Sequence, residues 1–203
     1  MRPENFVSLS EFCPRLLIEA SYATTKNFTG SVVDGYKRVD ALMSRAGAEA
    51  LCAAQSELDR EGLRLKIFDA YRPKKAVAFF QHWAKLPGDD VALKEHYYPT
   101  HTKLELFEIG YIAKQSSHSR GSAVDLTLVD ALGVELDMGT VFDFFHEKSH
   151  TRSPLITPAQ RANREKLVDL MQRNGFKNYL QEWWHFSLVK EAFPGQSFDF
   201  DVE

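Results

Sequence analysis

The feature that most constrains this chain is a carboxylate placed inside an apolar run. Asp125 stands in Ala123-Val-Asp-Leu-Thr-Leu128, a segment whose β-favouring residues read as a strand over Ala123 to Val129. An unpaired carboxylate there is costly to bury. A metal ion, an arginine or a set of backbone donors must meet it, and the fold must bring that partner from elsewhere in the chain. His118 precedes it by seven positions in Ser116-Ser-His-Ser-Arg-Gly-Ser122, and His185 follows it by sixty, closing Glu182-Trp-Trp-His185. Two imidazoles and one carboxylate are three nitrogen and oxygen ligands, which is the complement of a catalytic zinc with one open position. Glu182 is a second carboxylate beside them, suited to taking a proton from a metal-activated water. Spacing alone leaves two readings of Asp125 open, a metal ligand or half of a structural ion pair. The Glu-x-x-His spacing is a weak signal by itself; both segments in one small chain weigh more.

Residues 1–203 read as a single domain, since this length supports one well-packed core more readily than two small ones. A hydrophobic fraction of 44% with 26% charged residues is that of an ordinary globular protein. The net charge of −3 supplies no electrostatic reason to expect nucleic acid or an anionic membrane as partner. No apolar run approaches the roughly 20 residues of a membrane helix. The opening Met1-Arg-Pro-Glu-Asn5 lacks the apolar core of a secretory signal, so the expected location is the cytoplasm unless this is a processed form. Cys13 and Cys52 belong to no Cys-x-x-Cys pattern and read as two buried thiols.

The pattern along the chain predicts an α+β fold, a mostly antiparallel sheet flanked by helices. Leu16 to Ala23 reads as extended and Thr25 to Tyr36 as loop. Ala41 to Arg60 reads as the clearest helix, with Leu42, Ala46, Ala50, Ala53 and Ala54 on one face and Gly62 just beyond its end. Leu63 to Phe68 reads as a strand. A second helix is expected from Pro73 through Ala76, Phe79 and Trp83. Leu86 to Ile112 is longer than a routine connection and is expected to lid a site or decorate the surface. Thr157-Pro158 reads as N-cap and first turn of a helix ending near Asn174-Gly175. Glu182 to Val189 reads as a strand, with His118 on a turn entering the strand of Asp125 and Gly121 allowing the bend.

Ser-x-His-x-x-Gly-x-Ala-x-Asp followed by Glu-x-Trp-His resembles the signature of the zinc D-Ala-D-Ala dipeptidases of the VanX type, relatives of the D,D-carboxypeptidases. Tyr22-Ala-Thr-Thr-Lys-Asn-Phe-Thr-Gly30, Asp34-Gly-Tyr36, Asp69-Ala-Tyr-Arg-Pro73, Met138-Gly-Thr-Val-Phe-Asp143 and Phe198-Asp-Phe200 resemble that family in the same order. The resemblance spans nearly the whole chain. It implies the zinc D,D-peptidase fold and one Zn2+ per chain on His118, Asp125 and His185, with Glu182 as catalytic base. It implies Arg72 as the group that stabilises the developing oxyanion, although spacing alone favours an Arg72–Asp69 pair on the surface. It implies Asp143 as the binder of the substrate amine, with Tyr22 and Ser116 nearby; without it Asp143 reads as an N-cap or a solvated loop carboxylate. Phe142, Phe144 and Phe145 read as core, and His146 and His150 receive no ligand role. The implied partner is a small D,D-dipeptide, hydrolysed to two D-alanines either in glycopeptide resistance or in D-alanine recycling. A homodimer is the implied assembly, and a cell-wall carboxypeptidase is the closest rival reading.

Overall fold

The computed structural model describes residues 2–112 and 116–203. Its framework is a five-stranded sheet built from β2 (Leu17–Ile18), β4 (Arg64–Asp69), β5 (Ala123–Val129), β6 (Phe176–Asn178) and β7 (His185–Leu188), in the order β2-β4-β5-β7-β6. β2 runs parallel to β4 and every other pairing is antiparallel. β1 (Phe6–Ser8) and β3 (Leu42–Ser44) form a separate antiparallel pair, with the short helix α1 (Leu9–Phe12) directly after β1. β5 is central and buried along its whole length, which is why it reads as a nearly continuous apolar run.

The sheet is covered by helices whose ends the sequence marks. In α2 (Arg45–Leu58) the Ser44 hydroxyl accepts from Gly47 N–H, and Gly62, at φ +69°, closes the turn that follows. α3 (Lys74–Lys85) begins directly after Pro73. α4 (Val91–Tyr97) and α5 (Glu105–Glu108) fill the long segment before β5. α6 (Pro158–Arg173) carries a complete capping box between Thr157 and Gln160. Glu57 of α2 accepts from Arg173 Nη2 at 3.1 Å and from Asn174 Nδ2 at 2.8 Å, so α2 and the end of α6 lie side by side.

Several expectations change in the fold. The helix expected from Ala41 begins at Arg45, because Leu42–Ser44 pairs with Phe6–Ser8 instead. Its inner face is Gly47, Ala48, Leu51, Ala54, Gln55 and Leu58, whereas Ala46 and Ala53 are exposed. In α3 it is Phe80, not Phe79, that is buried with Ala76 and Trp83. The extended stretch from Leu16 ends early: the N–H groups of Glu19 and Ala20 both turn onto Ile67 O, and Ala20 takes φ +48°. A 3₁₀ turn over Ser21–Ala23 then aims Tyr22 inward. Of Glu182 to Val189, only His185–Leu188 is strand; Glu182 to Trp184 form the turn before it. The Leu86 to Ile112 segment holds α4 and α5 and is anchored by buried Tyr98, Leu106 and Ile112, with Tyr98 edge-on to Trp83 at 5.7 Å. Both cysteines are free, and burial beside the Cys13 thiol pushes Cys52 up to about 12.

Candidate metal centre and active site

The site begins as a row across the sheet. Asp125 of β5 pairs with His185 of β7 on one side and with Asp69 of β4 on the other. Residues paired in this way project from the same face. Asp69 reaches the row only through a bulge, since Ile67 pairs with Leu126 and Phe68 is the extra residue between. With an unbroken ladder, Phe68 would stand opposite Asp125.

His118 joins the row from a 3₁₀ turn, His118–Arg120, which is closed by Gly121 at φ +65°. Glycine is favoured there by the left-handed backbone, and an added Cβ would lie 2.3 Å from Phe6 Cε1 unless that ring moved. The His118 Nδ1–H donates to Ala70 O at 2.5 Å, which leaves the Nε2 lone pair facing the row. Nε2 lies 3.1 Å from His185 Nδ1 and 3.3 Å from Asp125 Oδ2, and His185 Nδ1 lies 2.9 Å from Asp125 Oδ1. Tetrahedral zinc with ligand distances near 2.0–2.1 Å spaces its ligand atoms about 3.3 Å apart. The nearest approaches match that spacing, and one donor atom from each of the three residues lies within 4.8 Å of the others, close enough to gather around such an ion. Electrostatics agree with the geometry. Asp125, Asp143 and Glu182 line one cavity together with Arg72, the only permanent cation among the described lining residues. That surplus of carboxylates calls for a cation.

Arg72 follows β4 and is fixed from two sides: Nε donates to Asp69 Oδ2 at 2.9 Å and Nη2 to Asp125 Oδ2 at 3.3 Å. Its guanidinium lies 5.1 Å from the Tyr22 ring centre and 5.5 Å from that of Phe80. The expected Arg72–Asp69 pair thus exists, but inside the protein, with Asp69 only 2% exposed.

Across the cavity Tyr22 OH donates to Asp143 Oδ2 at 2.8 Å, and both residues are buried. Asp143 sits at φ +59° and is neither an N-cap nor solvated. Burial pushes its carboxyl well above the usual range, and Asp125 adds to the effect. Glu182 is displaced upward in the same way, by burial and then by Asp125 and Asp143. Among the described residues no side chain donates to its carboxylate, and His185 Nδ1 stands 4.0 Å from Oε2. Asp125 moves in the opposite direction: burial alone would raise it, but the two imidazoles hold it below the carboxylate range. Burial depresses His185, which keeps its ring neutral as a metal ligand requires.

The cavity measures about 290 Å³. Ser116 lines it while its hydroxyl accepts from His118 N–H at 3.2 Å, so this serine also shapes the ligand turn. Phe145, expected in the core, borders the cavity as well. Of the two tryptophans only Trp184 borders it; Trp183 donates instead to Thr140 Oγ1 at 2.8 Å. His146 accepts from Lys148 N–H, and His150 Nε2 meets Tyr111 OH at 3.3 Å. Sequence reasoning missed Asp69 as a partner of the site and missed Tyr111 and Tyr179 on its wall. Only the Asp69-Ala-Tyr-Arg-Pro73 run pointed towards the first.

A family model for the D-Ala-D-Ala dipeptidases of peptidase family M15 matches residues 2–203. The chain belongs to that family. A D-alanyl-D-alanine dipeptidase of Enterococcus faecalis is 43% identical over 198 residues, covering 97% of this chain and 98% of the relative. One from Streptomyces coelicolor is 39% identical over 98% of both chains. One from Escherichia coli K12 is 36% identical over 92% of this chain and 86% of its own. The solved structure of a VanY D,D-pentapeptidase mutant in complex with Zn(II), from a VanB-type resistance cassette, aligns over 78% of each chain with 14% identity and a TM-score of 0.44.

Proposed function

We propose that this M15 chain is a zinc-dependent dipeptidase that hydrolyses D-Ala-D-Ala to two D-alanines. The observation that carries the reading is the donor triangle of His118, Asp125 and His185 within one small cavity that also holds Glu182, Arg72 and the Tyr22–Asp143 pair. Zinc held by those three ligands would polarise the scissile carbonyl and lower the pKa of a water towards about 7. Glu182 is the base. Its buried, raised carboxyl takes the proton as the water attacks and returns it to the departing amine. Arg72 stays charged in this site and faces the negative charge that develops on the carbonyl oxygen. Asp143, with the Tyr22 hydroxyl on one oxygen, receives the substrate ammonium, and Ser116 contacts the substrate beside them.

An ammonium subsite is what separates a dipeptidase from a carboxypeptidase of similar chemistry. A chain blocked at its amine brings no charge to satisfy Asp143, which leaves a buried carboxylate without its partner. Residues 1–203 are taken as one catalytic unit, supported by a core cluster that runs from Phe6 to Val202. The cytoplasmic location and the homodimer belong to the same proposal. Among the described residues no helix is long and apolar enough to cross a membrane, and light scattering tests the assembly.

The deciding experiment measures free D-alanine released from D-Ala-D-Ala, with and without a metal chelator, alongside N-acetyl-D-Ala-D-Ala. Rapid release that the chelator abolishes and zinc restores, with little from the acetylated peptide, is the expected result. No release from folded, zinc-loaded protein overturns the reading, and equal rates on both peptides favour the carboxypeptidase.

A further inference from the structure

Two runs of the chain, Asp34-Gly-Tyr36 and Phe198-Asp-Phe200, have no part in the proposed mechanism, although the Tyr36 ring lies edge-on to Tyr22 at 5.8 Å, and both converge on the arginine that takes part in it. Tyr36 is buried, and its hydroxyl donates to Asp69 Oδ1 at 2.7 Å. The other oxygen of the same carboxylate accepts from Arg72 Nε at 2.9 Å and lies 3.5 Å from His118 Nδ1. One buried carboxylate therefore carries Tyr36 on one side and Arg72 on the other, with a metal-ligand imidazole close by.

The C-terminal segment holds this arrangement together. Gly35 O accepts from Val202 N–H at 2.8 Å and Val202 O from Lys37 N–H at 2.9 Å, which brackets Tyr36. On either side of Arg72, Tyr71 OH donates to Phe200 O at 3.0 Å and Lys74 N–H donates to Phe198 O at 3.1 Å. The Tyr71 and Phe200 rings stack at 4.2 Å. Phe198 N–H donates to Ser119 O at 2.8 Å, within the turn that carries His118. Gly35 lies so close to the start of α3 that an added Cβ would be 2.9 Å from Pro73 Cγ. A short strap thus clamps the Tyr36 loop, the Arg72 segment and the His118 turn to one another.

We infer that Tyr36 is a positioning residue for the reaction, acting through Asp69 to hold the Arg72 guanidinium in its productive orientation, with the strap keeping Tyr36 in place. Asp69 needs such an anchor. A buried carboxylate between a guanidinium and an imidazole can rotate towards either, and the tyrosine hydroxyl locks one oxygen so that the other stays on Arg72 Nε. Burial and the adjacent Asp69 push the Tyr36 hydroxyl well above its ordinary range, so it remains a donor at any working pH.

The inference rests on the proposed oxyanion role of Arg72, and the experiment separates the two. Tyr36→Phe removes one oxygen and keeps the ring. In zinc-loaded enzyme it is expected to lower kcat about tenfold, with KM and zinc content close to wild type and the melting temperature lower by a few degrees. In an Arg72→Lys background the same change is expected to cost little more; a full further tenfold loss there would show that Tyr36 acts independently of Arg72 and would overturn the inference. A second readout needs no turnover: the Arg72 Nε–H resonance, assigned by its loss in Arg72→Lys, is expected to exchange faster with solvent in Tyr36→Phe. Unchanged exchange in the folded variant overturns the inference whatever the activity. A wild-type enzyme inert towards D-Ala-D-Ala would sink the dipeptidase reading, and the exchange measurement would still decide this one.

Discussion

On one side of the cavity Asp69, Asp125 and His185 lie in a row across three hydrogen-bonded strands; on the other, Tyr22, Asp143 and Glu182 stand on turns. The row is held by a ladder in which a slip of one residue would turn every side chain to the opposite face. The backbones that carry Asp125 and His185 cannot drift without breaking the sheet. The turn side depends on individual conformations, with Ala20 at φ +48° just ahead of Tyr22 and Asp143 at φ +59°. There the Tyr22–Asp143 hydrogen bond fixes each side chain by the other. A metal demands fixed distances, whereas a small substrate demands a shaped and charged recess. The two sides match those demands: the proposed metal ligands Asp125 and His185 stand on the row, joined by His118 from its own turn, and the turns opposite carry the proposed recognition of substrate, with Glu182 at the junction.

Substitutions test that division. The largest effect is expected at the row: His185→Ala should lose zinc on dialysis, measured by elemental analysis, together with all measurable turnover. Full zinc retention would remove His185 from the ligand set. At the junction Glu182→Gln should keep zinc and lose kcat by about 10²–10⁴-fold, the usual size of a general-base contribution. D-alanine release at the wild-type rate would end its assignment as base. On the turn side Asp143→Asn should keep zinc and lower kcat/KM for D-Ala-D-Ala about 100-fold, the effect of removing one member of a buried charge pair. The preference over N-acetyl-D-Ala-D-Ala should narrow with it; loss of zinc would instead assign Asp143 to the metal side. The smallest effect concerns the link between the two. Gly121→Ala should lower stability in denaturant by about 1–2 kcal/mol from the left-handed backbone alone, and by more if the Phe6 ring cannot move. An unchanged unfolding midpoint would mean that the His118 turn is not held rigidly against Phe6 and Ser44.

Elements defined by neighbouring residues were legible. Thr157-Pro158 and Gln160 mark the start of α6, Ala123 to Val129 matches β5, and Pro73 opens α3. Elements defined by distant partners were not. Leu42–Ser44 looks like the first turn of a helix until Phe6–Ser8 pairs with it. Tyr22 looks like part of a strand until Ile67 O captures the two N–H groups before it. The eight candidate residues converge on one cavity. Type and spacing pointed to His118, Asp125, Glu182 and His185, whereas Arg72, Asp143, Tyr22 and Ser116 were singled out only by the family resemblance, because their roles depend on where the fold carries them. Asp69 was expected as a surface partner of Arg72 and not beside Asp125, because its place in the row depends on a bulge, which has no local signature without knowledge of what lies across the ladder.

By itself, the sequence determined the donor set: two imidazoles and one carboxylate of the kind that holds zinc, a free Glu182 beside them, and an apolar strand that could not bury Asp125 alone. Only the tertiary structure decided that one donor atom from each of His118, Asp125 and His185 comes within 4.8 Å of the others, that Arg72 is clamped between Asp69 and Asp125, and that Tyr36 and the C-terminal strap stand behind that arginine. The physical reason is that residue type sets which interactions are affordable, a property of each side chain. Strand register and the docking of a terminal segment arise from contacts between parts of the chain far apart in sequence, and exist only once the chain has closed upon itself.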